Sequence, residues 1–329
     1  MAILTELDAD QISRVCAAFG VVVHSYEGVL AGSVNTNYAV VTTGGERYFL
    51  RVYEEQDAEG ARREAELVSV LAGLGVPTPA PLARTDGAGR TTTVRDKAAA
   101  LYPFVAGTIR CQKTVSEADT RAVGRALAAV HLAGERLDPS RGLTCPSRFG
   151  PEAIRSRLAT ITQRPLPSEA PADEVRAAAA RIERSLDDVL RAPPTAPDLP
   201  LIHGDLFRDN VLFHASGLAL LDFESASIGR ASFDLAVTAL AWCFGDRLDE
   251  TLVTALGRGY REIRPISSDE SADLPRAARL ACLRFATTRL TDYELRPRGL
   301  GVYKDFRRWL VRLDAVEHVR GGLGGLLCA

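Results

Sequence analysis

Residues 201–224 read LIHGDLFRDNVLFHASGLALLDFE, and this stretch decides the fold. It holds two short apolar runs, 211–213 and 218–221, separated by a turn at 215–217. Apolar runs of this length on either side of a glycine-containing turn predict a β-hairpin. The hairpin brings the residues just before its first strand close to those just after its second strand.

Polar residues stand at both of these positions. Asp205 precedes Asn210 by five residues, and Asp222 follows Asn210 by twelve. An amide oxygen and a carboxylate held together suit a Mg²⁺ ion that also contacts phosphate groups. Asp205, on the preceding loop, is free to accept a proton from a hydroxyl group. Each residue alone could simply cap a turn, but together the spacing is that of kinase-type phosphoryl transfer.

Composition excludes several other classes of protein. The chain has 329 residues, 46% of them hydrophobic, and a formal net charge of −2, which argues against a nucleic-acid partner. We expect no membrane helix, because the sequence has no uncharged apolar stretch long enough to span a bilayer. The N-terminal sequence MAILTELDAD resembles no signal peptide, and none of the six cysteines forms a C-x-x-C pair. We therefore expect a cytoplasmic protein.

The first hundred residues predict a small antiparallel sheet. Helical periodicity appears at 8–20 and 58–74. The predicted strands are 26–31, 37–42, 47–53, 81–83, 91–94 and 98–104. Beyond Gly107 the pattern is mainly helical, with predicted helices at 116–134, 173–191, 231–244, 250–263, 273–293 and 303–319.

We therefore predict an α+β fold of two lobes. Residues 1–104 would form a nucleotide-binding lobe, and residues 105–329 a larger helical lobe that holds the catalytic and substrate groups. The two lobes would be joined near 102–107. The glycine-rich C-terminal segment GGLGGLLCA is expected to fray.

Three motifs carry a family resemblance. HGDLFRDNVLF, LLDFE and FDLAV resemble the aminoglycoside phosphotransferase and choline kinase superfamily, which has a protein-kinase-like fold. Within it, three further stretches are similar to type II homoserine kinases: GSVNTNY (32–38), LFRDNVLF (206–213) and LRFATTRLTDYELR (283–296). The resemblance implies ATP and Mg²⁺ as cofactors and a small-molecule alcohol as the phosphate acceptor.

The resemblance also implies roles for the matching residues. Asp205 would be the catalytic base, and Asn210 and Asp222 would hold Mg²⁺ between the ATP phosphates. His203 would orient the catalytic loop, which we define as residues 203–210, and Asp234 would brace it from a following helix. A core histidine and a helix-start carboxylate are the plainer alternatives for these two.

The nucleotide side departs from the common kinase pattern. Arg51 stands in the third strand where that pattern has a lysine, and its planar guanidinium can bind phosphate bidentately. Glu64, on the helix that follows, is the natural carboxylate partner of Arg51. The chain has only three lysines, Lys97, Lys113 and Lys304, and none falls at this strand position, so we expect arginines to handle the phosphate charge.

The remaining nucleotide contacts are expected from two loops. The segment GSVNTN would lie over the phosphates with Gly32, Ser33 and Asn35, although it has only one glycine. The segment LYPFVAG would be the hinge, where backbone groups near Tyr102 and Phe104 would hold adenine. Aromatic packing between the lobes is the alternative for these two rings.

Substrate contacts are expected from Arg208, Glu224, Arg284 and Arg289, as cationic and acidic partners of a carboxylate, an ammonium group or the transferred phosphate. Ordinary surface charges are the alternative for each of them. Residues 203–310 hold 15 acidic and 15 basic side chains, a balance that favours a zwitterionic substrate over a polycation. We therefore expect an amino acid, most simply L-homoserine, as the acceptor.

Three alternatives stay open at this point. The acceptor could be an aminoglycoside, choline, ethanolamine or a sugar. A protein kinase is disfavoured, because Glu224 replaces the glycine after Asp222-Phe223, and because only eleven residues separate Asp222 from Phe233, which leaves no room for an activation segment. A catalytically silent nucleotide-binding regulator is the third alternative.

Overall fold

The structure of the protein is a computed structural model that describes residues 3–30, 34–168, 170–295, 303–319 and 322–329. Within those ranges, no helix combines the length and the apolar content that crossing a membrane requires. The chain folds into a five-stranded antiparallel sheet near the N-terminus and a mainly helical part after it, which confirms the predicted α+β, kinase-like architecture.

The N-terminal part contains two helices and all five strands of the large sheet. Its elements are α1 (Ala9–Ala17), β1 (Val23–Val29), β2 (Thr36–Thr42), β3 (Arg47–Val52), α2 (Ala58–Gly73), β4 (Thr92–Val94) and β5 (Lys97–Pro103). The strand order is β1-β2-β3-β5-β4. A tight turn with Gly45 at φ 87° joins β2 to β3, in a conformation that favours glycine.

The strand predicted at 81–83 is wrong. The described chain has no strand between α2 and β4; only the Leu82 amide reaches β5, donating to the Leu101 carbonyl at 2.8 Å. Prolines occupy alternate positions 77, 79 and 81, and a proline nitrogen has no hydrogen to donate to a neighbouring strand.

Helix α2 carries a charged residue inward. Asp57 caps its N-terminus by accepting a hydrogen bond from the Gly60 amide at 2.7 Å. Helix α2 ends at Gly73, and Gly75 just beyond it has φ 90°. The Val76 amide then donates back to the Leu71 carbonyl at 3.0 Å. Its buried face includes Glu64, which therefore faces the interior rather than solvent.

Over the residues that the structure describes, the C-terminal part contains eight helices and two small two-stranded sheets. The helices are α3 (Glu117–Glu135), α4 (Pro151–Gln163), α5 (Ala172–Leu190), α6 (Ala231–Trp242), α7 (Glu250–Arg261), α8 (Ser268–Arg289), α9 (Arg307–His318) and α10 (Gly322–Cys328). The strands are β6 (Leu199–Ile202), β7 (Val211–His214), β8 (Gly217–Leu220) and β9 (Ser227–Gly229), paired as β6-β9 and β7-β8. The pair β7-β8 is the predicted hairpin.

Two sequence predictions differ from this part of the structure. Helix α4 was not predicted from the sequence. The C-terminal segment does not fray over 322–329, because α10 packs against α7 and α8 with Leu323 and Leu327 buried. Gly257 on α7 permits this packing: a β-carbon there would lie 2.1 Å from the Leu327 carbonyl oxygen.

The buried side chains form two hydrophobic clusters. The smaller one joins α1 to one side of the sheet and includes Ile12, Val40 and Leu50. The larger one fills the helical part, and α2 belongs to it through Leu67 and Leu71. The polar groups of the hairpin region lie where the sheet and α2 meet the helical part. The division at residue 104 stays a prediction.

Candidate active site

Asp205 follows strand β6 on a loop that depends on a glycine. Gly204 has φ 77°, and a β-carbon there would lie 2.9 Å from the Ser225 carbonyl oxygen. Burial raises the pKa of Asp205, and the nearby Asp222 carboxylate raises it further. The positive charge of Arg284 acts in the opposite direction. Asp205 is thus a sheltered carboxylate, suited to receive a proton.

Asn210 is held so that its amide oxygen remains available. It ends a short 3₁₀ turn, Arg208–Asn210, and its Nδ2 donates to the Asp205 carbonyl at 2.8 Å. Its own carbonyl accepts from the Leu221 amide at 2.9 Å, which places Asn210 beside the chain that leads into Asp222. The side-chain Oδ1 is therefore the atom left for a metal ion.

Asp222 has backbone and side-chain features of a binding residue. Its φ of 64° and ψ of 70° are rare for a residue with a side chain and mark local strain. Its Oδ1 is buried and accepts no hydrogen bond within the described structure. Together with Asn210, whose carbonyl pairs with the Leu221 amide next to Asp222, this atom fits a divalent cation whose other ligands are phosphate and water oxygens. The described residues contain no group of three or more His, Cys, Asp or Glu side chains that could hold a metal alone.

Arg51 lies between two carboxylates, one from each part of the chain. Its Nη1 is 3.6 Å from Glu64 Oε1 and 3.5 Å from Asp222 Oδ1. The pKa of Glu64 is raised to about 7, mainly by burial. The positive charge of Arg51 opposes this increase, and the negative charge of Asp222 adds to it. Gln56 Nε2 also donates to Glu64 at 2.7 Å. The structure thus brings together the Arg51–Glu64 pair that the sequence suggested, and adds Asp222 to it.

A cavity of about 320 Å³ opens beside Arg51, between the sheet and the helical part. Its walls are mostly apolar, and residues of both parts contribute to them, among them Val29, Phe49, Val105 and Leu212. Arg51, Glu64 and Asp222 line it as one charged group, and Glu27 and Arg47 line it as well. A mostly apolar cavity with charged groups on its wall suits an aromatic base with phosphates attached.

Tyr102 and Phe104, the predicted hinge residues, line this cavity. The Tyr102 hydroxyl is 2.9 Å from the Tyr53 hydroxyl, so it is already engaged. The Phe104 amide donates to the Arg47 carbonyl at 3.1 Å, and the Arg47 guanidinium lies 3.8 Å from the Phe104 ring centroid. The Val105 amide makes no hydrogen bond within the described chain and is free for a ligand.

The predicted phosphate loop is described only in part. Gly32 and Ser33 lie outside the described residues. Asn35 is buried, and its Oδ1 accepts from the Glu54 amide at 3.1 Å. Its Nδ2 lies 3.5 Å from Glu224 Oε2, which connects the loop to the segment after Asp222. A phosphate contact from this loop stays a prediction.

The catalytic loop is braced from beneath by Asp234. Its Oδ2 accepts from the His203 amide at 2.6 Å, and its Oδ1 accepts from the Gly204 amide at 2.8 Å. Burial acts to raise the pKa of Asp234, but these bonds and that from His131 lower it overall. His203 Nε2 donates to the Leu221 carbonyl at 3.1 Å, and its Nδ1 accepts from the Asp205 amide at 3.3 Å. These contacts agree with the supporting roles implied for both residues.

His131 on α3 is part of this brace, and sequence reasoning missed it. It is fully buried; its Nε2 is 3.1 Å from Asp234 Oδ2, and its Nδ1 is 2.6 Å from the Tyr260 hydroxyl. Arg264 Nη1 donates to that hydroxyl at 3.0 Å. In the sequence, His131 stands on an apolar helix face like any core residue, so only the fold reveals its contact with Asp234.

The predicted substrate residues have different environments. The Arg208 guanidinium donates to Gln112 and to the Ala241 carbonyl, so a contact with phosphate would require it to leave both. Arg284 is buried and donates to the Gly204 carbonyl, with its Cζ 4.1 Å from the Phe149 ring.

Burial lowers the pKa of Arg284 to about 10. Glu224 pairs with Arg148 at 2.6 Å. Arg289 donates to the Asp305 carbonyl at 3.1 Å. No motif marks Arg148, and none places Lys304 near the site, where its charge acts on Asp205. The roles of Arg208, Arg284, Arg289 and Glu224 stay predictions.

Residues 25–266 match the model of the phosphotransferase enzyme family. The chain belongs to this family. A homoserine kinase of Gluconobacter oxydans is 31% identical over 97% of this chain and 100% of its own length. A homoserine kinase of Rhizobium meliloti is 34% identical over 95% of this chain and 94% of its own. Both matches extend beyond the family model toward each end of the chain.

The fold has solved counterparts. The structure of an amicoumacin kinase in complex with AMP-PNP and Ca²⁺ superposes with a TM-score of 0.67 at 15% identity, covering 94% of each chain. The family membership makes this chain a phosphate-transferring enzyme of the small-molecule kinase type. It also confirms the resemblance drawn from the motifs.

Proposed function

We propose that this phosphotransferase moves the γ-phosphate of ATP to the side-chain hydroxyl of L-homoserine, giving O-phospho-L-homoserine and ADP. The observation that carries the proposal is the full-length match to homoserine kinases at 31% and 34% identity. The site supports the chemistry, because Asp205, Asn210 and Asp222 lie on one loop-and-hairpin unit beside a nucleotide-sized cavity.

Each residue has a defined part in this reaction. ATP would lie in the apolar cavity with its phosphates toward Arg51, and the Val105 amide would be available to its base. Asn210 and Asp222 would hold Mg²⁺, which when bound neutralises charge on the β- and γ-phosphates. Asp205 would orient the acceptor hydroxyl and take its proton as the new P–O bond forms and the bond to ADP breaks. Most of the rate acceleration would come from positioning the two substrates and from stabilising the charge that develops in the transition state.

The charges around Asp205 favour an acceptor that carries a negative group. Arg284, Arg289 and Lys304 interact electrostatically with Asp205, and none of the three forms an ion pair with a described carboxylate. A polycationic aminoglycoside would be repelled by this set, whereas the carboxylate of an amino acid would be attracted. Glu224, paired with Arg148, is the acidic group on this side that an ammonium group could meet.

The substrate is tested by measuring ADP release with a panel of alcohols. We expect turnover with L-homoserine and only background release with choline, ethanolamine, an aminoglycoside and a simple sugar. Expression in a homoserine-kinase-deficient strain should restore growth without threonine. Turnover of another alcohol in place of homoserine would overturn the proposed acceptor while leaving phosphate transfer intact.

Replacing the proposed base separates catalysis from nucleotide binding. Asp205→Asn should lower kcat by about 10²–10⁴-fold, because the amide cannot accept the hydroxyl proton. ATP affinity, measured by calorimetry, should stay close to that of the parent, since the cavity and Arg51 are untouched. Unchanged turnover in Asp205→Asn would rule out Asp205 as the base. Absence of turnover in the parent with every alcohol tested would instead support the silent regulator.

A further inference from the structure

Four neighbouring arginines of the helical part have no acidic partner among the described residues. Arg208, Arg289, Arg308 and Arg312 act on one another electrostatically, and none forms an ion pair with any described carboxylate. Most arginines nearby differ from them: Arg307 pairs with Glu174 and Asp305, and Arg279 pairs with Glu317 at 3.2 Å. Arg312 is buried and Arg208 and Arg289 are partly buried, and a positive charge removed from water without a counterion is costly.

Two of these arginines lie against the ring of Trp309. The Cζ of Arg289 is 5.4 Å from the ring centroid, and that of Arg312 is 5.1 Å from it. Trp309 also lies 5.9 Å from the ring of Phe207, which is two residues after Asp205. This aromatic contact ties the arginines to the catalytic loop. Trp309 is buried, and its Nε1 has no hydrogen-bond partner among the described residues.

Arg289 differs from Arg312 in having donors to spare. Arg312 donates to three carbonyls, those of Leu240, Arg308 and Phe244, at 3.0, 2.8 and 3.2 Å. Arg289 donates to the Asp305 carbonyl alone, within the described structure. A guanidinium has five N–H donors, so most of those on Arg289 remain unused.

The electrostatics are consistent with a ligand at this position. Burial lowers the pKa of Arg289 to about 10, and the charge of Arg308 adds to the effect, but the group stays protonated at neutral pH. The charge of Asp205 also acts on that of Arg289. A carboxylate placed there would form charge-assisted bonds and relieve the repulsion among the arginines.

We infer that Arg289 binds the carboxylate of the amino-acid substrate while the hydroxyl of the same substrate meets Asp205. This inference rests on the proposed function, because it assigns the carboxylate of the proposed acceptor to a named residue. It makes Arg289 the group that separates amino acids from simple amino alcohols.

The test compares two acceptors that differ only by the carboxylate. L-Homoserine and 3-amino-1-propanol share the hydroxyl and the ammonium group. We expect the parent to prefer homoserine in kcat/KM by at least about tenfold, the usual range for a hydrogen bond to a charged group. Arg289→Gln should lose this preference, mainly through a higher KM for homoserine, with kcat/KM for 3-amino-1-propanol within about threefold of the parent. Arg289→Lys should restore part of the preference.

Arg279→Gln is the matched control, since Arg279 lies on the same helix but pairs with Glu317 on α9. Melting temperatures of all variants show whether each one folds. An Arg289→Gln variant that folds and keeps the parent preference, or loses both substrates equally, would overturn the inference. That result differs from failure of the proposed function, in which case the parent enzyme itself would not turn over homoserine.

Discussion

Arg51 shows how one side chain can serve two carboxylates. It lies within 3.6 Å of Glu64 and 3.5 Å of Asp222, so it joins the sheet, α2 and the segment after β8 at one point. Lysine has a single charged nitrogen, whereas the arginine fork can face two partners. Because the three side chains are this close, the charge of each one acts on the other two.

Removal of this charge should affect ATP rather than the acceptor. Arg51→Ala should raise the KM for ATP by about tenfold or more, because a charged contact to phosphate is lost. Lys113→Ala is the control, since Lys113 is exposed and lies on the 3₁₀ turn Gln112–Thr114. Initial rates over a range of ATP concentrations give both values. Equal effects of the two substitutions would show that Arg51 does not bind the nucleotide.

Glu64 should make stability depend on pH. Its pKa is about 7 in the folded protein and about 4.5, the ordinary value for a glutamate, in the unfolded chain. Between these values the folded form holds a proton that the unfolded form has released, so this group's contribution to stability falls as pH rises from about 4.5 to 7. Glu64→Gln should flatten the pH dependence of the melting temperature over that range. Glu66→Gln, on the same helix, should leave it unchanged; equal curves for both variants would contradict the assignment.

At the scale of elements, helices α3, α6 and α7 together fix the catalytic loop. Each supplies one member of a buried chain, His131 from α3, Asp234 from α6 and Tyr260 from α7. The chain ends on the amides of His203 and Gly204. The position of Asp205 thus depends on how three helices pack, which a local sequence pattern does not contain.

His131 should act as a positioning residue. His131→Leu removes a donor to Asp234 in a buried site, so we expect kcat to fall by about tenfold or more with little change in the KM for ATP. His131→Gln keeps a donor and should recover part of kcat. Tyr260→Phe, which removes the outer link, should have a smaller effect. A loss of melting temperature in His131→Leu with unchanged kcat would show a purely structural role.

At the scale of the whole molecule, the two hydrophobic clusters do not coincide with the two predicted lobes. Helix α2 lies before residue 104, yet its Leu67 and Leu71 belong to the same cluster as the helical part. The Leu220 amide also donates to the Pro77 carbonyl at 2.7 Å. The two parts therefore share a core, and the site lies where they share it.

This shared core predicts that the helical part is not stable alone. A fragment of residues 105–329 would expose the surface that α2 covers, so we expect it to aggregate or to melt without a cooperative transition. The full chain should unfold in a single transition. Circular dichroism and calorimetry measure both. A fragment that melts cooperatively near the temperature of the full chain would show that residues 105–329 form an independent domain.

The sequence by itself determined the site motif and most of the elements. The spacing of Asp205, Asn210 and Asp222 was enough to predict a hairpin and kinase chemistry, because these groups are close along the chain and local turns position them. Among the features that depend on nearby residues, the predicted strand at 81–83 is wrong. Alternate prolines there remove the backbone N–H groups that would donate to a neighbouring strand.

Only the tertiary structure decided which distant charges meet. His131 is 103 residues from Asp234, and Arg148 is 76 residues from Glu224, so no periodicity links them. Arg289 differs from Arg279 on the same helix in having no ion pair with a described carboxylate, which is a property of the packed helices. Where each helix begins and ends depends on nearby residues, but the environment of a charge depends on every element that packs around it.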